Sequence, residues 1–137
     1  MTSPAAENNV PVMVVDDERD IVLIVEQILD GLPITIHSFT DPRKALEFLK
    51  QNPCIVQLLI TDYRMPQMSG LEFMKATRDL GETMRIVVMS AFEPTKREIE
   101  SARAELGVAS VVTKPFGPEK MLTAVKEQLS LLREFAI

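Results

Sequence analysis

The chain has 137 residues, the size of one domain, and its 46% hydrophobic and 26% charged residues exclude a disordered or fibrous protein. Its single cysteine, Cys54, excludes an intramolecular disulfide framework and a cysteine-rich zinc site. A net charge of −5, the lack of any apolar run approaching ~18 residues, and a start without a basic-then-apolar signal together predict a cytoplasmic protein binding neither nucleic acid nor membrane.

Residues 1–9 are polar and predict a flexible terminus, after which one domain is expected over 10–135. Five β-branched runs, too short for helices, read as strands: Val10–Val15, Ile34–Phe39, Val56–Thr61, Arg85–Met89 and Ser110–Thr113. Segments of helical spacing lie between and after them, at about 18–31, 41–51, 70–80, 94–106 and 118–134. Asp41-Pro42 has the form of an N-cap followed by a proline at the first helical position, and Glu93-Pro94 and Gly117-Pro118 place prolines similarly. Gly31, Gly81 and Gly107 stand just past helix ends, where a left-handed residue closes the last turn. Met121, Leu122, Val125, Leu129 and Leu132 form the core-facing stripe of the last helix. Strict alternation of strand and helix predicts an α/β, doubly wound fold with a parallel sheet covered on both faces. The second strand alternates in polarity and reads as an edge.

Polar residues recur at one phase of this pattern. Asp16 and Asp17 follow the first strand, Asp62 the third, Ser90 the fourth and Lys114 the fifth. Measured in strand–helix units of about 25 residues, the steps are two, one and one, so all five belong at the carboxyl ends of parallel strands. That edge is where open α/β sheets bind ligands. Three carboxylates brought together repel one another unless a cation intervenes, and Mg²⁺ suits such an oxygen set completed by water and phosphate. A metal, a lysine and a hydroxyl equip a site to hold a phosphoryl group, with Asp62 free to act as nucleophile and form an acyl phosphate.

The segments Val12-Met-Val-Val-Asp-Asp-Glu18, Leu59-Ile-Thr-Asp-Tyr-Arg-Met-Pro-Gln-Met-Ser-Gly-Leu71, Val87-Val-Met-Ser-Ala91 and Val112-Thr-Lys-Pro-Phe116 resemble the receiver domain of two-component response regulators. The resemblance covers about residues 10–135 and implies a flavodoxin-like five-stranded sheet of order 2-1-3-4-5. It also implies roles. Asp62 would be the phosphoacceptor, Ser90 the switch hydroxyl and Lys114 the phosphate-pairing lysine. Mg²⁺ would be held by Asp17 and Asp62 directly, by Asp16 through water and by the backbone carbonyl of Arg64. Pro115 would follow a cis bond, and Gly70 would permit the turn into the third helix. The donor would be a histidine kinase or a phosphotransfer protein, and the domain would turn over no separate substrate.

The family often carries Tyr or Phe three residues before the lysine, a ring that turns inward when the hydroxyl moves. Val111 stands there in this chain, so the route of the signal to the outer face is open; Phe92, two beyond Ser90, either substitutes or simply packs. Arg64 at the rim either steers donors and slows hydrolysis or is merely solvated.

In the family, the face of the fourth helix, fifth strand and fifth helix responds to phosphorylation, and an output partner or a homodimer would meet it there. The charged run Thr95–Glu105 suits such pairing, and equally suits solvent. The run Ile21–Val25 is wider than one buried stripe, as for a kinase-docking surface or extra core. Leu131, Phe135 and Ile137 hint at a dimer contact or a truncated helix. With no helix-turn-helix or catalytic segment in view, the domain reads as stand-alone or as part of a larger regulator. His37 reads as structural, Cys54 as a small buried apolar residue, and Met65 and Met68 as part of the family loop. Two alternatives stay open: an interaction module that works without phosphorylation, and a Mg²⁺-dependent phosphohydrolase. The latter lacks a second acid beside Asp62 to protonate a leaving group.

Overall fold

The computed structural model describes residues 9–91 and 95–135, and only the backbone of residues 133–135. The expected flexible terminus, Phe92, the Glu93-Pro94 cap and the dimer contacts of Phe135 and Ile137 therefore lie wholly or almost wholly outside the described residues.

The strands are β1 (Val10–Val15), β2 (Ile34–Phe39), β3 (Leu58–Asp62), β4 (Arg85–Ser90) and β5 (Val108–Thr113). The helices are α1 (Arg19–Ile28), α2 (Pro42–Gln51), α3 (Gly70–Asp79), α4 (Lys96–Leu106) and α5 (Pro118–Phe135). All strand pairs are parallel and the sheet order is β2-β1-β3-β4-β5, as the resemblance implies.

Side-chain alternation along the strands divides the core in two. Val12, Val14, Leu58, Ile60, Val87 and Met89 pack on one face, under Val22, Val25 and Leu29 from the α1 end and Met121, Val125 and Leu129 of α5. Met13, Val15, Leu59, Ile86 and Val88 pack on the other, under α2, α3 and the end of α4. β1, β3 and β4 are buried on both sides, which is why they read as continuous apolar runs. No residue of β2 is fully buried, as befits an edge.

The local causes foreseen for the helices hold in part. The Asp41 side chain accepts the Arg43 N–H at 2.9 Å, with Pro42 opening α2, and Pro118 opens α5. Gly107 closes α4 at φ +71°. The α4 cap itself is Thr95, whose Oγ1 accepts the Glu98 N–H and donates to the Glu98 carboxylate, each at 3.1 Å. This pair caps the start of α4.

Cys54 is a correction. It is exposed, in a turn with φ +61°, and its N–H donates to the Glu82 carboxylate at 2.8 Å. A backbone tie across the base of the sheet, rather than burial, governs that position. On α1, Val22 and Val25 are buried while Leu23 and Ile24 are each 43% exposed, so the apolar run divides between core and surface. His37 packs its ring on Phe48 at 4.8 Å.

Candidate functional site

The register explains how distant residues meet. Asp62 ends β3 opposite Met89, Ser90 ends β4 opposite Thr113, and Lys114 comes next in the chain. Asp16 and Asp17 leave the end of β1, which pairs with β3. The Lys114 N–H donates to the Ser90 carbonyl at 2.6 Å, and the Lys114–Pro115 bond is cis.

The charges are tightly coupled. Lys114 Nζ donates to Asp16 Oδ2 at 2.7 Å and lies 3.3 Å from Asp62 Oδ1. The other oxygen of Asp16, Oδ1, accepts the Glu18 N–H at 2.9 Å, so both oxygens of this fully buried carboxylate are partnered. Asp17 is half-exposed, and one carboxylate oxygen from each of Asp16, Asp17 and Asp62 lies within 4.8 Å of the others. Burial pushes the Asp62 carboxyl up to about 6, with the Asp16 charge adding to the rise and Lys114 opposing it. Burial also works against the Lys114 ammonium, but its bond to Asp16 and the charges of Asp16 and Asp62 outweigh that and raise its pKa.

This donor set fits a hard divalent cation. Three carboxylate oxygens clustered around a buried Asp62 repel one another, and an oxygen-preferring ion such as Mg²⁺ would offset that repulsion. Ser90 is buried at the same edge, whereas the Arg64 side chain is exposed at the rim.

The loop after β3 is held by close backbone contact. The Tyr63 N–H donates to the Met89 carbonyl at 2.9 Å, and the Tyr63 carbonyl accepts the Gly70 N–H at 2.8 Å. A Cβ on Gly70 would lie 2.4 Å from the Asp62 carbonyl oxygen and 2.7 Å from Tyr63 Cα and O. The glycine expected to permit a turn is thus required by close approach to the backbone of Asp62. Met65 is buried and anchors the loop, and the Ser69 side chain caps α3 by accepting the Glu72 N–H.

A sequence profile described as the response regulator receiver domain matches residues 12–126. The chain belongs to the response regulator receiver domain family. The receiver domain is similar to the response regulator protein TodT of Pseudomonas putida, with 26% identity over 120 residues, 88% of this chain and 51% of that protein. It thus spans about half the length of the curated relatives it matches first. The solved receiver domain of an HD domain-containing protein from Pseudomonas fluorescens superposes with a TM-score of 0.78 at 23% identity, covering 92% of this chain and 98% of that one. The chemotaxis protein CheY4 of Vibrio cholerae gives 0.74 at 26% identity, covering 87% and 98%. Receiver domains take phosphoryl groups from histidine kinases and are in general signalling modules rather than enzymes. Among the described residues, no helix is long and apolar enough to cross a membrane.

Two features escaped the sequence reading. Asp16 was assigned only to metal, yet it is the nearest partner of Lys114. Tyr63 drew no attention although it adjoins Asp62, half-buried, with both backbone groups pinned. Its placement after the acidic strand end was the available signal.

Proposed function

We propose that Asp62 accepts a phosphoryl group from a histidine kinase or phosphotransfer protein in a Mg²⁺-dependent step, and that the acyl phosphate shifts the α4-β5-α5 face to change what binds there. The observation carrying this reading is the shared lysine: Lys114 spans Asp16 and Asp62 at 2.7 and 3.3 Å, at a carboxylate whose pKa is raised to about 6. An Asp62 oxygen forms the new P–O bond as the bond from phosphorus to the donor imidazole nitrogen breaks, and that nitrogen keeps the electron pair. Lys114 then exchanges a carboxylate partner for a phosphoryl oxygen, and the buried Ser90 hydroxyl donates to another.

Asp17 and Asp62 would hold the ion directly, together with the Arg64 carbonyl. Asp16, both of whose oxygens already accept hydrogen bonds, would act through water. When bound, Mg²⁺ supplies positive charge against the phosphoryl oxygens. Leu23 and Ile24, exposed on the helix that follows Asp16 and Asp17, offer an apolar surface for the donor protein. The output partner is a second copy or another protein.

The test is intact mass after incubation with acetyl phosphate and Mg²⁺. Gain of one phosphoryl group by the wild type, and none by Asp62→Ala or without metal, is expected. Steady release of phosphate from esters without an adduct would favour a phosphohydrolase. No adduct, with beryllofluoride also failing to bind, would favour the phosphorylation-independent module.

A further inference from the structure

Helix α4, with a single buried residue, lies over a partly open cavity that reaches Ser90. Of the eleven residues of α4, only Leu106, at its C-terminal end, is buried; Ile99 and Ala102 are half-buried and the others exposed. That end is fastened by Arg78, whose Nε donates to the Leu106 carbonyl at 3.0 Å while its other nitrogens donate to the Glu82 and Met84 carbonyls at 3.0 and 2.8 Å. Beneath the rest of α4 is a cavity of about 120 Å³, walled by Met74, Val88, Ile99, Ala102 and Val111 and reaching Ser90. Cavities of about 150 Å³ hold a benzene ring, so this space is of the order of one aromatic ring. A larger side chain than Val111 on β5 would fill it.

Tyr63 lines this cavity and also the outer groove between α3 and α4, whose wall includes Leu71, Arg97 and Ser101. Glu98 and Ala102 are common to both. The residue thus borders both the space beside Ser90 and the groove on the outer side of α3 and α4. Its backbone cannot follow: the Tyr63 N–H is held by Met89 and its carbonyl by Gly70. Only rotation of the side chain can carry the ring from one space to the other.

We propose that Tyr63 is the residue that passes the state of Asp62 to α4, its ring moving into the cavity beside Ser90 and α4 turning about its Arg78-held end. The proposal rests on Asp62 as the acceptor. When the Ser90 hydroxyl is drawn towards the new oxygens, the cavity opens on that side. The ring then gains apolar contacts with Ile99 and Val111 while the phenol oxygen stays near the mouth with Arg64 and Glu98. Tyr63 acts through packing and is a positioning residue. It touches no reacting atom.

The chain has one tyrosine and no tryptophan, so its ultraviolet emission reports Tyr63 alone. With Mg²⁺ and beryllofluoride bound to the full chain, the ring is expected to lose most of the acrylamide quenching it shows in the free protein. Val111→Phe, which fills the cavity, should bind beryllofluoride but keep the quenching of the free state. If Val111→Phe does not fold, the Ile99 methyl resonances of the wild type serve instead, and an upfield ring-current shift on adding beryllofluoride is expected. Beryllofluoride bound to Asp62 with unchanged quenching and unshifted Ile99 methyls would overturn the role of Tyr63 and leave Asp62 as acceptor. Failure of beryllofluoride to bind at all would overturn the acceptor reading, and this proposal with it.

Discussion

The two ends of the sheet handle buried charge in opposite ways. At the carboxyl end, three carboxylates cluster, two of them share one lysine, and burial together with the Asp16 charge raises the Asp62 pKa to about 6. At the amino end, Arg78 donates to three backbone carbonyls, from Leu106, Glu82 and Met84. Glu82 nearby, buried, accepts the Cys54 N–H through Oε2, while its Oε1 has no partner among the described residues. Neutral carbonyls do not titrate, so these three bonds to Arg78 do not change with pH. Carboxylates around a shared lysine can exchange partners, and a bound cation or phosphoryl group would select among their arrangements. One end is built to stay, the other to change, and α4 runs between them.

The largest effect is expected at the fixed end. Arg78→Met removes the Arg78 donor from three carbonyls and a neighbouring positive charge from Glu82, costing about 4 kcal/mol in urea titrations, with no dependence on Mg²⁺. At the changing end, Lys114→Met strands the buried Asp16 beside Asp62 and should cost about 3 kcal/mol in metal-free protein. There, added Mg²⁺ should recover much of the loss, because the ion replaces the missing positive charge. Equal rescue of both variants, or of neither, would break the contrast between the two ends.

Gly70→Ala tests the scaffold between them. With a Cβ 2.4 Å from the Asp62 carbonyl oxygen, the backbone must shift, and a loss of about 2–3 kcal/mol with weakened Mg²⁺ binding is expected by calorimetry. The smallest effect has the opposite sign. Asp62 titrates near 6 in the folded protein against an ordinary value of 3.8, so the folded state binds the extra proton between those values and wild-type stability falls as pH rises through that window. Asp62→Asn should therefore be more stable than the wild type by about 1–2 kcal/mol above pH 6 without metal. That advantage should shrink as pH falls and vanish below about pH 4. A constant difference across the range would place the charge strain elsewhere.

Much of this was legible in the residues because the relevant physics is local or periodic. The β-branched runs, the Asp41-Pro42 cap and the glycines past helix ends act within a few residues, and strand phase alone sent Asp16, Asp17, Asp62, Ser90 and Lys114 to one edge. What escaped depends on contacts distant in sequence. Nothing around Cys54 shows that its N–H reaches Glu82, so a residue type usually buried was misplaced. Nothing around Arg78 announces three carbonyls from two other segments. The Thr95–Glu98 pair that caps α4 is local and readable in the sequence, yet it went unread. Gly70 was identified, yet its cause is the backbone of Asp62 and Tyr63 pressed against it, which only the folded chain brings there.

The most direct test of the central claim, that Asp62 is where this edge changes, is borohydride reduction after treatment with acetyl phosphate and Mg²⁺, followed by peptide mass mapping. Hydride converts an aspartyl phosphate to homoserine while leaving free carboxylates intact. Homoserine at position 62, absent when Mg²⁺ is withheld, is the predicted result. Homoserine at Asp16 or Asp17, or none while intact mass shows a phosphoryl adduct, would contradict it.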